Sequence, residues 1–552
     1  MSDFILDFRN PQERFGTDMA TELRHYPDLW MWSHDWTECR LAVCRPDSAS
    51  LWEPCTSPDG SVSVALCGRI ALDEKDWRKA DGLPGSGGVA CKHILNMYLT
   101  DGVKVLATLN GGYVVVVVDL RTKRALVATD RCGMYPCFVA EGRNGNPVFC
   151  SHPDTLARVT QTITDHDDTS LSEFLLTGSV SYPYTYYRMV RSVDFASVHD
   201  VDMRNLDRIR FASRRSFSFS YKPDSRMDQW ALAEELSFAF RNSVKRRTLP
   251  RFGKSVVALS GGLDSRMLVC ASDNRERIEA FCFFDRRNYE LNTAVKIAAA
   301  AGVKLHLLQR GPDHYAANAR KGVAISGGMG SFVNNHFLGF REQFKTLGFE
   351  NILTGFYCDY LFKGLALNIA THRYLRTERI AQFNQQWYRP VYQFPGCALA
   401  NHVLERMEER YPARIREDRS CIGPLLAEER RIFPLCYEPD NAETTVSQRV
   451  FGWYLPILDS EVLDVYQRIP VEQKLNCAMY AKSVKLTCGK LISRIPDTNT
   501  GAPVGAPWLV RVSNWYRRAA AIRDSYIHRL SLVAQDADVL VGELSRCNRT
   551  CC

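Results

Sequence analysis

Over the first roughly 210 residues, short alternating or wholly apolar runs recur between clusters of turn residues. The runs are Ser61–Cys67, Tyr113–Asp119, Ala125–Thr129 and Pro147–Ser151, with Gly111-Gly112 and Arg143-Asn144-Gly145-Asn146 as punctuation. That rhythm predicts antiparallel β-sheet. The period changes near residue 216. Asp228–Arg246 carries Trp230, Leu232, Leu236, Phe238 and Phe240 at helical spacing, closed by Pro250 and Gly253. Ser255–Leu259 is then a short β-branched apolar run, the kind buried on both faces of a parallel sheet. A helix over Ser265–Ala271, a strand over Ile278–Phe284, an Ala-rich helix over Leu291–Ala301 and a third strand over Val303–Leu308 follow. Strand alternating with helix predicts a parallel α/β sheet covered on both sides. From about residue 375 the pattern is mostly helical, with many charged residues and no internal repeat.

Length and composition narrow the picture. A chain of 552 residues exceeds what one hydrophobic core serves, so at least two domains are expected. The most apolar stretch, Val114–Val118, is only strand length, and no membrane partner is expected. Met1-Ser2-Asp3 opens no basic region or long apolar core, so the expected location is cytoplasmic. The net charge of +8 favours anionic substrates such as nucleotides. No dense Lys/Arg block with interleaved aromatics accompanies it, so no nucleic-acid partner is expected. The 19 cysteines form no zinc-type pairs and read as reduced, structural thiols; Cys547, Cys551 and Cys552 form a terminal cluster of open role.

The strongest chemical signal is Ser260-Gly261-Gly262-Leu263-Asp264-Ser265, which follows a strand and opens a helix. Glycines let the backbone turn sharply and approach a ligand closely. The helix that follows points free N–H groups and its positive end at the loop, which suits phosphate. Ser260 and Ser265 add hydroxyls. Asp264 suits a bare anion badly and makes sense as a ligand to a metal that bridges phosphates. The alternative is a tight strand-to-helix turn with Asp264 favouring the helix start. Gly253-Lys254-Ser255 is not a Walker loop, because a strand rather than a helix follows it.

SGGLDS resembles the pyrophosphate loop of the ATP pyrophosphatases, and the chain resembles the asparagine synthetase family, which includes β-lactam synthetases and lasso-peptide cyclases. Glu290 with the Ala-rich helix to Gly302, then Val303–His306, is similar to the next units of that family's sheet. Thr354-Gly355-Phe356-Tyr357-Cys358-Asp359, with Phe362 and Gly364, resembles its second acidic loop, whose Asp also binds Mg²⁺. Pro456-Ile457-Leu458-Asp459, then Lys474 and Lys482, resembles the late segment that ends in a catalytic lysine. In the first half, Leu109–Tyr113, Asp119, Asp130–Gly133 and Pro136 are similar to a class II glutaminase scaffold. The resemblance implies an α/β protein of two domains. Residues 1–215 would be an Ntn-like antiparallel β-sandwich with helices. Residues 216–552 would be a parallel-sheet ATP-pyrophosphatase domain with a helical C-terminal part.

Three departures qualify this. Family glutaminases need cysteine directly after the initiator methionine; this chain has Ser2 there and its first cysteine at Cys39, so an inactive glutaminase domain is expected. Phe356 stands where relatives carry a Glu or Tyr for proton transfer, leaving the adjacent Tyr357 as candidate. Arg266 replaces a small residue after the loop serine.

The resemblance implies ATP and Mg²⁺ as cofactors. Asp264 and Asp359 would hold the metal, and Ser260, Gly261, Gly262, Leu263, Asp264 and Ser265 would hold ATP and pyrophosphate. Lys482 and Tyr357 would be catalytic, Lys482 neutralising charge on acyl and phosphate oxygens. Asp359 as a helix-capping carboxylate, and Lys482 with Lys485 and Lys490 on a solvated helix face, are the alternatives. The expected activity is adenylation of a small-molecule or peptide carboxylate, then acyl transfer to an amine or ammonia, in specialised-metabolite or peptide biosynthesis. A lasso-peptide macrolactam cyclase, a sugar-acid amidating enzyme of glycan biosynthesis and a non-catalytic scaffold are alternatives, and a homodimer is an open option.

Overall fold

A computed structural model describes residues 3–506 apart from 16–17, 47–50, 224–227, 273–274, 365–366, 371–379, 384–404, 408, 411–431, 439–440 and 475–476, together with Leu509 and Val512. Ser2 and the Cys547, Cys551 and Cys552 cluster lie outside the described residues.

The first twelve strands are β1 (Asp3–Asp7), β2 (Trp30–Asp35), β3 (Arg40–Arg45), β4 (Cys55–Thr56), β5 (Val62–Ile70), β6 (Gly111–Asp119), β7 (Arg124–Thr129), β8 (Phe138–Glu141), β9 (Pro147–Cys150), β10 (Arg191–Ser192), β11 (Ser197–Asp202) and β12 (Arg210–Arg215). They pair antiparallel in two sheets, ordered β10-β8-β9-β1-β3-β2 and β12-β11-β7-β6-β5-β4. Val114, Val116 and Val118 of β6 share a core with Phe4, Leu6, Leu41 and Val43 of the other sheet. Val115 and Val117 face the opposite way, into a core with Ile94 and Leu95 of the helix Val89–Asp101. Outside the first sheet, Ile5, Ala42 and Val148 share a third core with Leu156 and Ala157 of the helix Pro153–Val159. The layers therefore run helix, sheet, sheet, helix. With both faces of β6 covered, alternation in direction needs no alternation in polarity, hence five consecutive valines.

The parallel sheet comprises β13 (Ser255–Ala258), β14 (Ile278–Phe284), β15 (Leu305–Gln309), β16 (Asn351–Leu353) and, after the antiparallel hairpin of β17 (Leu367–Ala370) and β18 (Ile380–Phe383), β19 (Trp453–Tyr454). Its order is β15-β14-β13-β16-β19. The chain steps outward from β13 to β15, then returns to the other side of β13 as β16. The C-terminal ends of β13 and β16 thus flank the point where the order reverses, where open α/β sheets bind ligands. β18 falls in the stretch whose periodicity predicts helix; its pairing of Ile380 with Ala370 is a cross-strand contact that local periodicity does not encode. Among the described residues no helix is long and apolar enough to cross a membrane. All fourteen described cysteines are free thiols, and most are buried.

Polar clamps join the two parts. Asp459, fully buried, accepts from Arg246 at 2.9 Å, Arg247 at 2.6 Å and Asn110 at 3.0 Å. Arg449 donates to Asp3 at 2.7 Å, both side chains 3% exposed. Burial works against the Asp3 charge, but Arg449 and His25 hold its carboxyl well below the usual range.

Candidate active site

From β13 the chain turns through Ser260-Gly261-Gly262 into the helix Leu263–Ala271. No side chain caps that helix, so its first N–H groups and positive dipole end are left to the loop. The serines shape the turn themselves. Ser265 Oγ accepts from Ser260 N at 2.9 Å and lies 2.9 Å from Ser260 Oγ, which accepts from Gly262 N at 3.2 Å. Beneath them Arg266 is fully buried and donates to the carbonyls of Gly261, Ile492, Ile495 and Pro496 at 2.7–3.3 Å. It ties the loop to the turn that follows the helix Ala478–Ser493. There Thr498 N donates to Gly261 O at 3.2 Å, and a Cβ on Gly261 would lie 2.1 Å from Thr498 Cγ2. The sequence marks Arg266 as a departure; its function is this long-range tie. Thr498 and Asn499 carried no motif signal, yet they border the loop.

The second acidic loop leaves β16 at Thr354. Gly355 is required by the contact between the loops: a Cβ there would lie 2.6 Å from Asp264 Cβ. Tyr357 adopts the left-handed region at φ +69°, a strained conformation for a bulky residue, and starts the short helix Cys358–Phe362. Adjacent parallel strands thus deliver Asp264 and Asp359 to one place.

What joins the two carboxylates is Lys363. Its Nζ lies 2.7 Å from Asp264 Oδ2 and 2.8 Å from Asp359 Oδ1. The Lys363 side chain is 8% exposed, against 52% for Asp359. Burial disfavours the Lys363 charge, but the two carboxylates more than offset this and raise its pKa. Asp264 is pushed above the usual carboxylate value by burial, with Lys363 pulling the other way. Tyr480, fully buried, donates from its hydroxyl to Asp264 Oδ1 at 2.8 Å. Burial and the neighbouring Asp264 raise that phenol well above its usual value, so it remains a donor.

The remaining candidates lie elsewhere. The Tyr357 hydroxyl donates to Thr444 Oγ1 at 3.3 Å, and Phe356 stacks on Trp453. Lys482 donates to Gln229 and lies over the Trp230 ring, so the structure does not bring it to Asp264. Lys474 is buried over the Tyr466 ring, and Asp459 serves the clamp between the two parts.

Two carboxylates suit Mg²⁺ as hard oxygen donors. The point between them is taken by the Lys363 ammonium, however, and the other Asp264 oxygen by Tyr480. A divalent ion bridging Asp264 and Asp359 does not fit beside that ammonium. Among the described residues no group of three His, Cys, Asp or Glu side chains is placed to hold a metal.

Residues 7–212 match the family model of the glutamine amidotransferase domain, and residues 235–432 that of asparagine synthase. The chain is 26% identical over 145 residues to asparagine synthetase [glutamine-hydrolyzing] 2 of Arabidopsis thaliana, covering 25% of each protein. It is 27% identical over 221 residues to a putative asparagine synthetase [glutamine-hydrolyzing] of Mycobacterium bovis, covering 38% of this chain and 33% of that one. The matches therefore span a quarter to a third of these relatives' length. Among solved structures, glutamine phosphoribosylpyrophosphate amidotransferase from B. subtilis aligns at 12% identity and a TM-score of 0.24, over 55% of this chain and 59% of that one. NH3-dependent NAD synthetase from Campylobacter jejuni aligns at 16% identity and a TM-score of 0.18, over 25% and 61%. Neither adds to the fold described above.

Proposed function

Because the chain belongs to the asparagine synthetase family, we propose that it is an ATP-dependent ligase that activates a carboxylate as its acyl-adenylate and passes the acyl group to an amine or ammonia. The observation that carries this reading is the meeting of the two acidic loops at the switch point of the parallel sheet, with Gly355 against Asp264.

In this mechanism the triphosphate lies along Ser260–Ser265, held by the free N–H groups of the helix start and the serine hydroxyls. The substrate carboxylate attacks the α-phosphorus in line, the bond to the β-phosphate oxygen breaks, and pyrophosphate departs along the loop. Preorganised donors beside the developing charge lower the barrier without reorganising at the moment of reaction. Asp264 positions Lys363, and Tyr480 orients Asp264. The nitrogen nucleophile then attacks the acyl carbon, AMP leaves, and the nucleophile's proton passes to the phosphate oxygen of AMP. Mg²⁺ enters this reading only as the ion that accompanies ATP; no step depends on it as a bridge between the carboxylates.

The nitrogen, in this reading, does not come from glutamine hydrolysed by this chain. Support comes from the head of β1, where Asp3 is locked by Arg449 at 2.7 Å and Ser151 at 2.6 Å.

ATP–pyrophosphate exchange with a panel of carboxylic acids tests the reading. The expected products are AMP and pyrophosphate, and Asp264→Asn should lower exchange on the order of a hundredfold or more. Formation of ADP and phosphate would replace the acyl-adenylate with an acyl-phosphate.

A further inference from the structure

Lys363 follows directly on the short helix Cys358–Phe362, and its ammonium reaches both acidic loops at once. A lysine ammonium carries three N–H donors. One goes to Asp264 Oδ2 and one to Asp359 Oδ1, and no other acceptor among the described residues takes the third. At 2.7 and 2.8 Å these are charge-assisted contacts. The buried stem lies beside Tyr480, with Nζ 5.6 Å from the ring centroid. Asp264 has its second oxygen committed to the Tyr480 hydroxyl, so each of its oxygens already has a donor from this chain. Any metal taking the position between the carboxylates must first displace the largely buried Lys363 ammonium from Asp264, which is costly because it strands that charge.

We propose that Lys363 takes the place of a divalent ion between Asp264 and Asp359, holding the two loops together and offering its remaining N–H to the pyrophosphate as it leaves. The proposal rests on the ATP-binding reading above and deepens it. It differs from a metal site in three measurable ways. The cation cannot be chelated, its charge is +1 rather than +2, and divalent ions are excluded from the pair until the lysine is removed. No bond is made or broken by Lys363; it acts as an electrostatic and hydrogen-bonding group on the phosphate oxygens.

The test uses the full chain without nucleotide and Mn²⁺ as the probe, read by the loss of the free-ion electron paramagnetic resonance signal. Wild type should leave the signal undiminished at about 100 µM protein and metal. Lys363→Met should take up one equivalent, and adding Asp359→Asn to it should release that ion again. Lys363→Arg keeps a cation and should still exclude Mn²⁺. It therefore decides the matter, together with wild type, if Lys363→Met does not fold. Uptake of one Mn²⁺ by wild type, abolished by Asp264→Asn, would overturn the proposal. Equilibrium dialysis with ATP in excess EDTA gives the second readout. Wild type should bind ATP without metal, and Lys363→Met should bind it on the order of ten- to a hundredfold more weakly, the loss of one charge-assisted contact. Binding by wild type that vanishes in EDTA and returns with Mg²⁺, with Lys363→Met binding Mg²⁺–ATP as tightly as wild type, would also overturn it. No ATP binding under either condition would refute the ligase reading instead, while the Mn²⁺ result would still decide the place of Lys363.

Discussion

Replacing Gly355 with alanine tests whether the two acidic loops must touch. The added Cβ would stand 2.6 Å from Asp264 Cβ and 3.1 Å from the Asp264 carbonyl carbon, where ordinary contact begins at 3.4 Å. Neither neighbour is the free end of a flexible side chain, so the loops must part by at least 0.8 Å. They carry Asp264 on one side and Asp359 with Lys363 on the other, so the displacement falls on the contacts of 2.7 and 2.8 Å that join them. A misplacement of about 1 Å at a reacting site costs on the order of a hundredfold in rate, or about 2.7 kcal/mol. Overpacking itself should cost about 1–3 kcal/mol of stability. The assay is ATP–pyrophosphate exchange alongside thermal unfolding. Gly302→Ala serves as the control: its φ is +70° but nothing lies within 4 Å, so it should lose about 1 kcal/mol of stability and no exchange. A Gly355→Ala protein that keeps more than half the wild-type exchange rate would refute the claim that contact between the loops positions the reacting groups.

Other substitutions probe the surroundings. Glu443 is fully buried, and burial pushes its pKa to about 7 against an ordinary 4.5. The stability of its neutral form is complete below pH 4.5 and declines as the pH rises through 7, so Glu443→Gln should stabilise the chain by about 3 kcal/mol at pH 8 and hardly at pH 4; denaturant midpoints at the two pH values decide it. Arg449→Met strands Asp3 in the interface and should cost about 3–5 kcal/mol at pH 7. Because the Asp3 pKa is depressed, wild type keeps that contribution above the ordinary carboxylate value of 3.8 and loses it as the pH falls further, which an acid titration of unfolding would follow. Lys482→Met should remove a contact with Gln229 and Trp230, costing about 1 kcal/mol of stability with little change in exchange. A collapse of amide formation with exchange intact would instead return the charge-neutralising part to Lys482.

The residues that local chemistry dictates were legible in the linear chain. A β-branched run, two glycines, a serine pair and a helix start sit within a dozen positions, and their conformational preferences act without distant partners, so Ser260–Ser265 reads as a loop between strand and helix. The same holds for the outward βαβ steps to β15 and for the valines of β6. Distant pairings were not legible. Lys363 lies 99 residues from Asp264 and Tyr480 lies 216, and the Arg266 contacts to Ile492, Ile495 and Pro496 span 226 to 230 residues. Tyr480 and Lys482 show why. Both sit on one helix, but two residues turn about 200° around its axis, so only one of them can face the phosphate loop. Packing chose which: Met479, Tyr480, Ser483 and Val484 are buried, while Lys482 turns to Trp230. Helical periodicity specifies that such a helix exists; its rotation is set by the partner surface it buries, and that surface exists only once the sheet and its neighbouring helices have assembled.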